Sequence, residues 1–179
     1  MVKKRSKKNV IELKGLSKKE VEIIAWLEFN KKYFFSIEEI KQFFKNKTQR
    51  YNIIKNLLKK KRILKLNKTK YYLVPIKAKS GSWAEDPFIV IDESMNGKDY
   101  YIGGWGAANY WMLTDQIPFR YDIFTTRRQG KMKVLSTEII FHRTTKNNIK
   151  KKAVIQKIQN HEFRIINKKE SKKWMKLRL

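Results

Sequence analysis

The sequence of 179 residues contains no cysteine, so disulfide bonds and thiolate metal sites are excluded. It also lacks any apolar run approaching the roughly 18 residues that a membrane-spanning helix needs, and we expect no membrane association. Residues 1–8 are basic, but no apolar segment follows them, so they do not resemble a signal peptide. These absences fit the reducing cytoplasm, which is where we expect the protein.

Acidic residues are also scarce, because 16 Asp and Glu stand against 43 Lys and Arg, for a formal net charge of +27. The imbalance is regional. Residues 1–79 contain 24 basic and 6 acidic residues, residues 81–122 contain 2 and 7, and residues 123–179 contain 17 and 3. A genome-wide codon bias would not produce such blocks, so we expect different partners for different surfaces, with nucleic acid at the basic ends.

Side chains for catalysis are few. His142 and His161 are the only imidazoles, and they fall on different predicted strands without a carboxylate spacing typical of a metal site. We expect both on strand surfaces. No Ser-His-Asp or Cys-His set accompanies them. Residues 81–83 lack the Gly-Lys-Ser/Thr ending of a phosphate-binding loop. The sequence therefore predicts no enzyme activity, no metal and no cofactor.

Two acidic pairs keep one catalytic alternative open. Glu85-Asp86 and Asp92-Glu93 could belong to the metal site of a nuclease. A restriction-type nuclease would carry Glu-x-Lys on the next strand, and Glu138-Ile139-Ile140 does not supply it. Loop solubilisation and helix capping are the more frequent roles of such acids.

The first of three short helices is predicted to begin at Ser17. Glu20 lies three residues on, and this is the spacing of a capping box, in which each residue bonds the backbone amide of the other. Ser36 and Glu39 repeat the spacing before a second helix, from Ile37 to Phe44. A basic arm, residues 1–16, precedes the first helix.

A third helix is expected from Gln49 to about Lys61, with Thr48 as its cap, after a tight joint at residues 45–47. Two short apolar runs then flank a polar tip at residues 67–70, which predicts a basic hairpin. Three helices followed by a hairpin are the pattern of a winged helix-turn-helix, which we assign to residues 17–76.

Opposite sides of the third helix differ in chemistry. At about 100° per residue its apolar residues share one side, and the opposite side holds no acid and no apolar residue. Asn and Gln can pair with adenine edges in the major groove, and Lys can reach guanine or phosphate. Arg50 and Tyr51 lie nearer the packed side, in the first turn, where phosphate contacts are favoured. The hairpin tip suits the DNA backbone or a minor groove, and a solvated turn is the alternative for it. The residues predicted to contact double-stranded DNA are Thr48, Gln49, Arg50, Tyr51, Asn52, Lys55, Asn56, Lys59, Lys68 and Lys70.

A second domain, residues 82–179, is predicted to be α+β. Phe88–Ile91 is a short apolar run that predicts a buried strand, Tyr100–Gly103 is a second such run, and Ala107–Met112 can form a short helix. Apolar and polar residues alternate in later segments, as they do in half-buried strands. Those segments are Tyr121–Thr125, Met132–Leu135, Glu138–Thr144, Ala153–Ile158 and Glu162–Ile166, with a terminal helix at Lys168–Leu179.

Aromatic side chains cluster in sequence around the glycine- and proline-containing loops of the second domain. Core packing explains many such clusters, but aromatics at loop edges also anchor protein interfaces. The candidate partner-binding residues are Trp105, Tyr110, Trp111 and Asp115. Stacking of single-stranded nucleic acid is a further option, which the acidic character of residues 81–122 disfavours.

A longer pattern in this region resembles a known family. Tyr100-Tyr101-Ile102-Gly103, then residues 107–111 (Ala-Ala-Asn-Tyr-Trp) and residues 113–118 (Leu-Thr-Asp-Gln-Ile-Pro), are similar to the central signature of AbiEi-type antitoxins of type IV toxin–antitoxin, or abortive infection, systems. The order matches over roughly residues 17–145. The resemblance implies a DNA-binding autorepressor whose second domain opposes a nucleotidyltransferase-like toxin.

We therefore expect a sequence-specific double-stranded DNA-binding transcriptional regulator. Two other functions stay open: an interaction protein that neutralises a toxin and binds DNA only secondarily, and a nucleic-acid-processing component of a mobile element. Double-stranded DNA and the toxin are the expected partners, and a homodimer is a further candidate assembly.

Overall fold

The chain folds as two α+β units. The computed structural model describes residues 15–76, 85–134 and 137–178, and its internal contacts divide the chain into Met1–Trp83 and Ala84–Leu179. This division lies close to the boundary expected near residues 77–82, which are themselves outside the described residues, as is most of the basic arm. Within the described ranges, no helix is long and apolar enough to cross a membrane.

Helix α1, Lys18–Phe29, begins at the capping box that the sequence predicts. The Glu20 amide donates to the Ser17 hydroxyl at 3.4 Å, and the Ser17 amide donates to the Glu20 carboxylate at 2.6 Å. These bonds satisfy two amides that the start of a helix leaves without partners. The helix buries Ile23, Ile24 and Leu27 in the core of the first unit.

A 3₁₀ helix, Glu38–Phe43, replaces the helix predicted from Ile37 to Phe44. The Ser36 amide and hydroxyl both donate to the Glu39 carboxylate, at 2.8 and 3.1 Å. Ser36 is also the last residue of strand β1, Phe34–Ser36, which the sequence did not predict. Residues 37–46 connect the strand to the next helix, and 3₁₀ helices commonly serve as short connectors of this kind.

Helix α2 runs from Lys47 to Lys59, and Asn46 rather than Thr48 caps it. The Asn46 side chain accepts from the Gln49 amide at 2.8 Å. The predicted cap at Thr48 was wrong by two residues, because Asn caps at least as well as Thr and Asn46 holds the extended backbone that a cap requires.

The predicted hairpin is formed by strands β2, Ile63–Lys65, and β3, Lys70–Leu73, which pair antiparallel. At its tip, the Asn67 side chain accepts from the amides of Thr69 and Lys70 at 2.9 and 2.8 Å. Strand β1 pairs antiparallel with the other edge of β3, so the sheet order is β1-β3-β2.

The second unit contains a six-stranded mixed sheet with the order β6-β7-β5-β4-β9-β8. The β5–β7 and β4–β9 pairs are parallel and the others are antiparallel. Its strands are β4 Tyr100–Gly103, β5 Arg120–Thr125, β6 Gly130–Val134, β7 Thr137–Arg143, β8 Ala153–Ile158 and β9 His161–Ile166. Its helices are α3 Pro87–Met95, α4 Gly104–Tyr110, α5 Lys146–Lys152 and α6 Lys168–Lys176.

The buried strand predicted at Phe88–Ile91 was wrong, because these residues lie in helix α3. Asp86 caps the helix by accepting from the Phe88 amide at 2.8 Å, and Pro87 occupies the first turn, where its missing amide costs nothing. All four residues from 88 to 91 are buried, so the helix shows no polar face along this run. An apolar run this short cannot separate a buried strand from a buried helix.

The remaining predictions for the second unit agree with the structure in type. Strand positions were predicted to within two residues, and the terminal helix is α6. Helix α4 begins at Gly104, three residues before the predicted start at Ala107. Helix α5, which the sequence did not predict, is capped by the Thr145 side chain.

Candidate nucleic-acid interface and second-unit sites

Helix α2 presents the exposed polar face that the sequence predicts. Ile53, Ile54 and Leu57 are buried on its inner side. The helix contains no acidic residue, and its exposed side chains are Lys47, Thr48, Tyr51, Asn52, Lys55, Asn56 and Lys59. Gln49 is only partly exposed, and its side-chain oxygen accepts from the Lys45 amide at 2.6 Å, so it helps to fix the turn before the helix.

A cleft of about 600 Å³ lies between helix α2, the start of the 3₁₀ helix and the β2–β3 hairpin. Its one acidic residue is Glu38, which also pairs with Lys41 at 3.5 Å. The Lys55 ammonium lies 5.8 Å from the centroid of the Tyr51 ring, so these neighbours form a cation–π pair. The basic and aromatic residues of the cleft include Lys47, Arg50, Tyr51, Lys55, Lys65 and Lys68.

The structure thus brings four of the predicted DNA-contacting residues into one cleft: Arg50, Tyr51, Lys55 and Lys68. Lys47 and Lys65 join them, although they were not among the predicted residues. Lys65 is exposed at the end of β2 but lies on the same strand face as the buried Ile63, so alternation gave no sequence signal for it. Lys70 is partly buried in β3, where it pairs with Ser36, so it lies within the sheet and not at the exposed tip.

Lys60 has a structural role inside the first unit. Its ammonium donates to the Glu20 carboxylate at 2.6 Å, and the Glu20 side chain is 1% exposed. Burial raises the pKa of Glu20, but the bonds from Lys60 and Ser17 outweigh it and hold the pKa below its ordinary value. Not every basic residue of the first unit therefore belongs to the candidate interface.

The four candidate partner-binding residues of the second unit do not share one surface role. The Tyr110 hydroxyl donates to the Gln156 side chain at 3.2 Å, and the Trp111 ring nitrogen donates to the Ile166 carbonyl at 2.8 Å. These bonds hold the end of α4 to strands β8 and β9. Trp105 packs edge-on against the indole of Trp174, and Asp115 is exposed.

Three large apolar side chains are exposed in the loop that follows α4. Met112 is 92% exposed, Ile117 is 88% exposed and Phe119 is 86% exposed. Burial of one large apolar side chain stabilises a protein by about 1.5–3 kcal/mol, so three exposed together mark a candidate contact surface. The sequence could not separate them from their buried aromatic neighbours.

Both histidines pair with carboxylates from distant parts of the chain. His142 lies 2.7 Å from Asp122, and His161 lies 3.0 Å from Asp92. The partners are 20 and 69 residues away in sequence, which is why local spacing gave no sign of them. Among the described residues, no group of three or more His, Asp or Glu side chains is arranged to hold a metal ion.

The acidic pairs that kept the nuclease alternative open have structural partners. Asp86 caps α3, as described above. Asp92 accepts from the buried Tyr100 hydroxyl at 2.6 Å as well as pairing with His161. Burial raises the pKa of Tyr100, and the negative charge of Asp92 raises it further, so the phenol stays protonated as the donor.

No protein-family model matches the chain, and no curated protein matches it. Among solved structures, the crystal structure of the RV2827C protein from Mycobacterium tuberculosis is similar, with a TM-score of 0.54 and 12% sequence identity. The similarity covers 78% of this chain and 50% of that chain, so this chain spans about half the length of that protein. At this identity, the similarity supports a mixed α+β fold and nothing about activity.

Proposed function

We propose that the protein is a sequence-specific double-stranded DNA-binding transcriptional regulator in which residues 17–76 act as a winged helix-turn-helix. The observation that carries this proposal is the acid-free exposed face of helix α2 beside a cleft with five basic side chains. Phosphate neutralisation supplies most of the affinity of such proteins, and polar side chains on one helix supply base contacts.

Helix α2 is the element proposed to enter the major groove. Asn52 and Asn56 are four residues apart and exposed, so they lie on one side of the helix, about one turn apart. Their amides can donate and accept together, which matches an adenine edge. Lys68, exposed at the hairpin tip, suits phosphates on the adjoining backbone.

The resemblance to AbiEi-type antitoxins supports autorepression as the biological role. Its signature residues lie in consecutive elements of the second unit: Tyr100–Gly103 is strand β4, and residues 107–110 lie in helix α4. A regulator of this kind would bind DNA upstream of its own gene. A nucleotidyltransferase-like toxin encoded next to it would be its partner.

Specificity can be tested by fluorescence anisotropy on a preferred duplex, found by selection from random sequences, and on a random duplex. Asn52→Ala and Asn56→Ala should each cost about 1–3 kcal/mol on the preferred duplex and much less on the random one. Gln42→Ala, a change of an exposed amide outside the cleft, is the matched control and should change neither affinity. Uniform losses from the Asn variants would refute their assignment as base-reading residues.

A second candidate function is neutralisation of a toxin by protein binding, favoured by the exposed loop residues Met112, Ile117 and Phe119. Asp115 lies in the same loop and is exposed. Asp115→Lys and Phe119→Asp should impair binding to the adjacent gene's product and leave duplex affinity within a fewfold. Full binding by both variants would refute the loop as the contact surface.

A further inference from the structure

The second unit contains a cleft of about 360 Å³ lined by α4, β5, β7, α6 and the residues just after α6. The indoles of Trp105 and Trp174 form part of its wall. They meet edge to face, with ring centroids 5.3 Å apart. The Arg178 guanidinium lies 4.3 Å from the centroid of the Trp174 ring. The Arg178 guanidinium, which is flat and cationic, already packs on this wall. A flat ring system of a ligand can pack on the same kind of aromatic surface.

One carboxylate, that of Asp122, lines the same cleft. Asp122 accepts from the His142 ring at 2.7 Å through one oxygen. Its other oxygen, Oδ2, lies against Gly104, where a Cβ atom would collide with it. Gly104 also has a φ of +61°, a backbone conformation that residues other than glycine rarely adopt. The glycine therefore permits the close approach of Asp122, whose Oδ2 accepts no hydrogen bond among the described contacts.

The remaining charges of the cleft are positive. Arg120 is exposed in strand β5, and Arg178 reaches the cleft from the far end of the chain. Residues 81–122 are acidic as a block, which by itself disfavours an anionic ligand. Folding changes that balance, since two guanidinium groups and an imidazole lie around one carboxylate. The cleft suits a ligand that combines a flat ring, an N–H donor and an anionic group.

We propose that this cleft binds a nucleotide, with its base packed against the two indoles, an N–H of the base donating to Asp122, and its phosphate paired with Arg120. The volume lies within the range of roughly 300–1,000 Å³ typical of small-molecule sites. Guanine presents two neighbouring N–H donors, so guanosine 5′-monophosphate is the probe that fits best. The ligand can be a free nucleotide or an unpaired base of a single strand. Binding here is independent of duplex recognition by helix α2.

Isothermal titration calorimetry of the full chain tests the site with three probes. We expect guanosine 5′-monophosphate to bind and ribose 5-phosphate, which lacks the base, to bind at least about tenfold more weakly, because stacking contributes roughly this much. A short guanine-containing single strand distinguishes the two sources of the base. Tighter binding of the strand than of the mononucleotide, with sensitivity to the variants below, would indicate an unpaired base, and the reverse order would indicate a free nucleotide.

Variants connect the binding to this cleft. Arg120→Gln and Asp122→Asn should each weaken binding of guanosine 5′-monophosphate by about tenfold, the effect of losing one charge-assisted bond. Arg143→Gln removes another exposed arginine, which lies outside the cleft, and should leave affinity unchanged. Trp174→Phe keeps an aromatic wall and should weaken binding less than either. Circular dichroism melts establish that each variant is folded. No binding of either guanine probe, equal binding of ribose 5-phosphate, or no effect of Arg120→Gln and Asp122→Asn would overturn the proposal.

Discussion

Replacing Lys60 with methionine should destabilise the first unit far more than an ordinary lysine substitution on the surface. Lys60 donates to Glu20, whose side chain is 1% exposed, while the lysine side chain itself is 19% exposed. Methionine keeps most of the apolar stem but removes the charge. The Glu20 carboxylate would then lie buried without its partner, which is the costly result of breaking such a pair.

The expected cost comes from the burial of the two partners. Removing one partner of a buried ion pair costs about 3–5 kcal/mol, and the partial exposure of Lys60 places this case near the lower end. Lys41→Met is the matched control, since Lys41 and its partner Glu38 are 71% and 76% exposed. Pairs this exposed contribute little, and the control should change stability by less than about 0.5 kcal/mol.

Thermal unfolding of the full chain, followed by circular dichroism, measures both changes. A loss near 3 kcal/mol should lower the melting temperature of the first unit by roughly 10 °C or more. The difference should be largest at neutral pH. Because the folded pKa of Glu20 lies below its ordinary value of 4.5, its contribution is lost as the pH falls through that lowered value. Equal effects of Lys60→Met and Lys41→Met would refute the reasoning.

Three further outcomes are expected. Tyr100→Phe should destabilise the second unit by about 1–3 kcal/mol, because it leaves the Asp92 carboxylate and the Arg164 amide without their bonds to the hydroxyl; chemical denaturation checks this. Gly104→Ala should lower the melting temperature of the second unit, since it adds a Cβ at a positive φ and against Asp122; restored stability in the double variant Gly104→Ala with Asp122→Ala would isolate the collision from the backbone strain. Lys68→Ala should weaken preferred and random duplexes alike in anisotropy titrations, and a selective loss would show that the hairpin reads sequence.

Local chemistry predicted those parts of the fold that depend on neighbouring residues. The capping box of Ser17 and Glu20 marked the start of α1, because its two bonds form within one turn. Strands β5 and β7 were predicted by alternation, since one side of each packs inward. Strand β1 was not predicted: Phe34–Ser36 is three residues long and exists because β3, more than thirty residues later, pairs with it.

In the candidate sites too, features set by neighbouring residues could be predicted from the sequence, and features set by long-range contacts could not. The exposed face of α2 follows from helical periodicity, so the sequence alone indicated Asn52, Lys55 and Asn56. The nucleotide-sized cleft could not be predicted, because its walls come from residues as far apart as Gly104 and Arg178. Asp122 and His142 are likewise brought together by parallel pairing of β5 with β7, a long-range contact without a local pattern.

Footprinting of the full chain on DNA upstream of its own gene tests most directly whether the protein recognises specific double-stranded DNA through its first unit. We expect a discrete protected site that is lost as salt rises. If six or more phosphates are neutralised, affinity should fall by roughly a thousandfold or more between about 50 and 200 mM salt. Asn52→Ala and Asn56→Ala together should abolish the discrete protection at protein concentrations that give the wild type full protection. Absence of any protected site at low salt, or protection that spreads evenly over the DNA and does not respond to the Asn changes, would contradict the claim.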